Sequence, residues 1–98
     1  MPKMTKLRKE AKNRPCMVRV PEICTGGGED TVLAHYRMAG ASGVGMKPPD
    51  ILGAWCCHAC HDAVDGRNTQ GRDREWLRFL HAEGVLRTLV QLQSEGKI

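Results

Sequence analysis

Three cysteines and two histidines crowd into CCHACHDAVD, the stretch from Cys56 to Asp65, and no other feature constrains this chain as much. Cys57 and Cys60 have two residues between them, a spacing that lets two thiolates converge on one ion from a tight turn entering a helix. Cys16 and Cys24 form the other candidate pair. They are separated by seven residues, a looser arrangement, but Pro21 and the glycines at 26 to 28 can fold that segment back on itself. Four thiolates around zinc make a closed structural site that ties the early chain to the later chain. Cys56 is expected to be buried and non-ligating, turned away from Cys57 by strand alternation. A redox-active dithiol at Cys57 and Cys60 is the competing reading; it lacks a surrounding βαβ pattern and leaves Cys16 and Cys24 unexplained.

A staple of this kind answers a need. At 98 residues the chain makes one small domain with a modest core, and its aromatic side chains number four: Tyr36, Trp55, Trp76 and Phe79. No apolar run approaches the ~20 residues that span a bilayer. The opening MPKMTKLRKEAKNRP is charged throughout and lacks the apolar segment of a secretory signal. A cytoplasmic location is therefore expected, where thiols stay reduced and cysteines serve as metal ligands before they serve as disulfides. The net charge of +4 is unevenly spread: Lys3, Lys6, Arg8, Lys9, Lys12 and Arg14 face only Glu10 in the first fourteen residues. Such an arm suits a polyanion, phosphate above all, and equally suits a solvated tail.

Along the chain, MTKLRKEAKN reads as a short helix stopped before Pro15. Val18 and Val20 alternate with polar neighbours, TVLAHYR is rich in strand formers, and the glycines at 26 to 28 turn the chain between these two segments. MAGASGVGMKPPD is a loop; ILGAWCC is a further strand; His58 to about Arg67 is a short helix ended by Gly66 or by the GRNTQG loop. Asp73 caps a last helical stretch whose apolar residues recur at helical spacing, with Gly84 expected to split it in two. GASGVGMK resembles a phosphate-binding loop but places Met46, Lys47 and Pro48 where that motif needs Lys and then Ser or Thr, so no nucleotide site is expected there.

On a helix His61 lies about 100° round from Cys60, so it points to a second site, and Asp65 four residues on shares its face. An imidazole and a carboxylate side by side make a half-shell for a divalent cation. His35 sits in the LAHYR strand on the side of Leu33 and Arg37, where a histidine is more often simply packed.

A strand with a histidine, a long loop, a second strand, a cysteine pair and a helix that starts with a histidine resembles the HNH, or ββα-metal, nuclease family. Within it, AHYRMAGASGVGMKPPD and CCHACHDAVDGR, with the opening LRKEAKNRPCMVRVPEICTGG, look like the small phage and prophage proteins related to YbcO of Escherichia coli. The resemblance implies an α+β fold: a small zinc-stabilised ββα-metal domain with C-terminal helices. It divides the chain into a basic arm (1–14), the zinc-bound core (15–72) and a helical segment packed on it (73–98). It also implies that His35 is the general base activating water, that Asp50 falls near the middle Asn of the pattern, and that His61 holds a catalytic Mg²⁺ or Mn²⁺. Arg37 or Lys47 would hold the phosphate.

Two positions depart from the family pattern. Ala34 stands where many members carry a metal-binding Asp or His, and Asp65 stands where a second helix histidine is common. Asp50 and Asp65 are expected to complete the ion's shell with His61. The reading is thus a phage or prophage metal-dependent endonuclease acting on DNA without base-specific readout. Its alternative is a non-catalytic zinc module that binds DNA or phage or host recombination proteins, the HNH site having decayed. A third is a zinc-stabilised inhibitor or adaptor of a host protein that uses the C-terminal helices.

Overall fold

The structure, a computed structural model, describes residues 5–38 and 48–98; the stretch 39–47, including Lys47 and most of the glycine-rich loop, lies outside them. The order is α1 (Lys6–Glu10), β1 (Val32–His35), a 3₁₀ turn (Asp50–Leu52), β2 (Gly53–Cys56), α2 (His58–Val64) and α3 (Arg74–Ser94). The strands pair antiparallel, with Val32 opposite Cys56, Leu33 opposite Trp55, Ala34 opposite Ala54 and His35 opposite Gly53. Alternation sends Leu33 and Trp55 to one face, where they meet Ala11, Met17 and Leu92. Ala34, Ala54 and Cys56 go to the other, against Val18, Val20, Cys60, Leu77 and Val85. A sheet covered on both faces has no solvated side, which explains the unbroken apolar run of β2, all four residues of it buried.

The segment expected as a strand around Val18 and Val20 is instead irregular, although Met17, Val18, Val20 and Ile23 are buried. Arg19 and Glu22 have φ of 56° and 67°, left-handed conformations that break a ladder, and Pro21 offers no donor between them. One ladder-like bond survives, from Met17 N–H to Trp55 O at 2.7 Å. The neighbouring Trp55 N–H donates to Thr88 Oγ1 at 3.0 Å, so a helix hydroxyl and a loop amide stand in for a third strand along β2. The glycine turn does fold back as expected. Gly27 has φ of 87°, and a Cβ there would lie 2.6 Å from Cys16 N.

The last helical stretch is one helix, not two. Asp73 caps it, accepting from Trp76 N–H at 2.9 Å, and it runs unbroken through Gly84. A Cβ on Gly84 would lie 2.8 Å from Val18 Cγ2 and 3.2 Å from Met17 O. The glycine marks the point where α3 crosses the Cys16 segment, and packing there outweighs its ~1 kcal/mol helix penalty. The chain from Thr5 to Arg14 likewise departs from a free arm. Leu7 and Ala11 join the core, and Arg14 is ion-paired to Glu10 at 2.9 Å and to Glu95 at 2.6 Å while lying over the Trp55 ring. Arg14 is therefore held internally; Lys6, Lys9 and Lys12 remain exposed.

Candidate functional site

Two centres lie on either side of α2. At the first, Cys57 caps the helix, its Sγ accepting from Cys60 N–H at 3.4 Å, and Cys24 Sγ accepts from Gly26 N–H at 3.3 Å. The sulfurs of Cys16, Cys24, Cys57 and Cys60 lie within 4.8 Å of one another. Tetrahedral thiolates at ~2.3 Å from zinc have edges of about 3.8 Å, so the four converge closely enough to hold a metal such as zinc. Cys16, Cys57 and Cys60 are buried and Cys24 is partly exposed.

Cys56 is not one of the four, but neither does it turn away from them. It is fully buried on the face of β2 that looks toward α2, in the same core cluster as Cys16, Cys57 and Cys60. Neighbours in the cluster shift the thiols in opposite directions. Cys56 and then Cys60 pull Cys16 far below the ordinary thiol range, whereas Cys56 is pushed up, first by Cys16. Burial is the leading cause that pushes Cys24 up to about 11.

The second centre is a cavity of about 380 Å³ between the end of β1, α2 and α3. His35, His61 and Asp65 all line it, so the structure brings the β1 histidine to the expected helix pair. Burial, the largest cause, lowers the His61 pKa and favours the neutral ring that can ligate a cation. Asp65 is half-exposed and paired with Arg67 at 3.0 Å. Arg37, Arg74 and Arg78 add positive charge to the walls, with Arg78 stacked over Tyr36.

Asp50 takes a different place from the one expected of an ion ligand. It is not among the residues lining the cavity, and its Oδ1 lies 2.6 Å from His35 Nε2. Burial alone would raise its carboxyl, but hydrogen bonds with Thr5 and His35 outweigh that and hold it below the ordinary carboxylate range. A carboxylate only accepts, so Nε2 is the donor of this bond, and in the neutral ring Nδ1 is the acceptor. Among the described residues, the four cysteines are the one group of three or more potential ligands whose donor atoms converge; His61, Asp65 and Asp50 do not.

His81 escaped the sequence reading. It comes from the buried face of α3, lines the same cavity and has Nε2 2.8 Å from Ala34 O, the carbonyl next to His35. A carbonyl fixes Nε2 as the donor, and burial, the first cause, lowers the ring's pKa. The available signal was its position: a histidine among Leu77, Val85 and Thr88 at core spacing is a buried polar group in search of a partner.

A family model described as "Putative nuclease YbcO" matches residues 5–97 of this chain. The chain belongs to the YbcO family. Two YbcO relatives, "Putative nuclease YbcO" of Escherichia coli K12 and "Putative nuclease ybcO" of Enterobacteria phage 82, are each 44% identical over 95 residues. Those residues span 97% of this chain and 98% of each relative. A solved structure, titled as that of a putative bacteriophage protein from Escherichia coli K-12 MG1655, matches with a TM-score of 0.77 and 41% identity over 93% of this chain and 100% of that one. The name of the YbcO family describes a nuclease, and its relatives come from a bacterium and a phage. No helix among the described residues is long and apolar enough to cross a membrane.

Proposed function

We propose that the protein is an endonuclease of the HNH type that hydrolyses DNA phosphodiester bonds at the His35 cavity. The observation that carries this is the His35–Asp50 pair, whose histidine lines the cavity together with His61 and Asp65. An imidazole whose one nitrogen is tied to a half-buried carboxylate keeps its other nitrogen as the proton acceptor. His35 then takes a proton from the attacking water, and Asp50 stabilises the imidazolium that results, the logic by which a carboxylate serves a histidine base in hydrolases. Asp50 is thus a positioning residue for His35, not an ion ligand.

His61 and Asp65 are the residues that would hold a divalent cation, Mg²⁺ or Mn²⁺. When bound, such an ion supplies Lewis-acid stabilisation of charge on the phosphate. Arg37 on one wall and Arg74 and Arg78 on the other attract the phosphodiester, and Lys47 is a further candidate outside the described residues. The four-cysteine centre fixes the first turn of α2, and with it His61, the residue after Cys60. Thr5 and Arg8 of the α1 region adjoin Asp50, and the exposed Lys6, Lys9 and Lys12 of the same segment would supply phosphate contacts that need no base readout.

The test is nicking of supercoiled plasmid in Mg²⁺ or Mn²⁺. His35→Ala should abolish cleavage while fold and DNA affinity persist, because a base acts in the transition state. His61→Ala should raise the Mn²⁺ concentration required. An active His35→Ala protein refutes the mechanism; a wild-type protein that binds DNA and never cuts it supports the non-catalytic zinc module.

A further inference from the structure

Helix α3 has two apolar sides, and the fold uses one. Leu77, His81, Gly84, Val85, Thr88 and Leu92 are buried on an arc of about 100°. Trp76, Phe79, Leu86 and Val90 lie on the opposite side and are 38%, 59%, 62% and 68% exposed. With Glu83 they follow a 3-4-3-4 spacing inside an arc of about 80°, the seam of a helix that packs lengthwise on another helix. With ~150–250 Å² for each aromatic side chain, these fractions leave roughly 400 Å² of apolar surface along one helix, divided midway by Glu83. A monomer rarely leaves such a patch without a use.

The two ends of the stripe differ in shape. Trp76 and Phe79 are the large side chains at the N-terminal end. Leu86 and Val90, at the other end, border a shallow, open depression that Met17, Arg19, Arg87 and Gln91 also line. Glu83 lies midway, seven residues from both Trp76 and Val90. A two-fold axis at Glu83 sets Trp76 opposite the partner's Val90 and brings Phe79 within one residue's rise, about 1.5 Å, of the partner's Leu86. Each copy's aromatic end then lies over the other's depression. Such a surface is complementary to itself, as an isologous contact requires.

Charge agrees with this arrangement. Glu83 pairs with Arg87 of its own helix at 3.6 Å, so the axis brings together two carboxylates and two guanidiniums, a neutral square. Arg19 and Arg87 in the depression suit the faces of the aromatic rings that lie over it.

We propose that the protein self-associates through α3 as an antiparallel two-fold dimer centred on Glu83. The inference is independent of the nuclease reading. The stripe contributes about 800 Å² from the two copies and the flanking residues add to it, a small contact below the ~1,200 Å² of standard interfaces, so the dimer belongs to the weak, reversible class with a dissociation constant on the order of 10 μM or above.

The experiment is sedimentation equilibrium of the metal-replete full chain from about 1 to about 500 μM, a span that brackets the expected constant. Wild type should shift from monomer to dimer. Phe79→Glu and Leu86→Glu should each weaken association at least ~30-fold by setting a carboxylate in the apolar seam, with unchanged circular dichroism because both side chains are exposed. Ile98→Glu, an exposed apolar position outside the stripe, should leave it unaltered. Orientation is read by oxidative cross-linking: Glu83→Cys should form a linked dimer, whereas Val90→Cys, about 21 Å from its own copy along the axis, should not. A monomer throughout the range overturns the proposal. So does association indifferent to both glutamates, or a Val90→Cys protein that cross-links as readily as Glu83→Cys.

Discussion

Thr88→Val removes one oxygen from the molecule, at the point where that oxygen holds strand β2 to helix α3. Thr88 is fully buried in α3; its Oγ1 accepts from Trp55 N–H at 3.0 Å and donates to Gly84 O at 2.8 Å. Valine keeps the shape and leaves Trp55 N–H without a partner in a dry interior, which costs about 1–3 kcal/mol. Gly84 O keeps its bond within the helix, and the extra methyl recovers up to ~0.8 kcal/mol. The net loss is therefore about 1–2 kcal/mol, a fall of roughly 5–15 °C in melting temperature for a domain of this size. Thr88→Ser retains the oxygen and loses only a buried methyl, about 1 kcal/mol. Both variants should be compared with wild type by urea and thermal unfolding at one fixed zinc concentration, since bound metal shifts the apparent stability. A Thr88→Val protein within about 0.5 kcal/mol of wild type, the scatter of neutral substitutions, would mean that the helix hydroxyl does not replace a third strand along β2.

Metal analysis should find one zinc ion per chain; Cys57→Ser should lose it, while Cys56→Ala should keep the stoichiometry with affinity lower by about tenfold, because Cys56 only supports Cys16. Competition with a zinc-sensitive dye measures both. If the exposed lysines of the α1 segment contact DNA phosphates, each of Lys6→Gln, Lys9→Gln and Lys12→Gln should reduce the salt slope of binding by up to about 0.9, as judged by fluorescence anisotropy. Acid should destabilise the fold from about pH 6.5 downward. Burial depresses His61 and His81 in the native state, so the unfolded chain takes up protons first and stability falls with pH. His81→Gln should make urea midpoints between about pH 6.5 and 5 less pH-dependent, and an unaltered profile would count against a buried neutral ring.

Much of the local structure was legible in the residues. Asp73 as a cap, Gly66 as a helix end and the Cys57/Cys60 turn depend on neighbours within a few positions, where backbone geometry and side-chain chemistry decide alone. His61 beside Asp65 on one face of α2 is dictated by helical periodicity in the same way. Even the looser Cys16 and Cys24 pair could be read, since triple glycine permits the sharp return that brings both sulfurs to one point.

Tertiary structure decided every feature whose partner is distant in the chain. Gly84 carries the local sign of a helix break, but the close crossing of Val18 makes it a contact point. Basic composition placed Arg14 in a solvent arm, and Glu95, eighty-one residues away, turned it inward. Strand alternation around Val18 was real as burial and misleading as a ladder, because Thr88 and Met17 already satisfy the edge of β2. Asp50 went to His35, and His81 entered the cavity from a helix read only as core. Spacing along the chain determines which side chains share a turn or a face; which of those faces meet, and so which groups lose water and gain partners, is settled only when the whole chain packs.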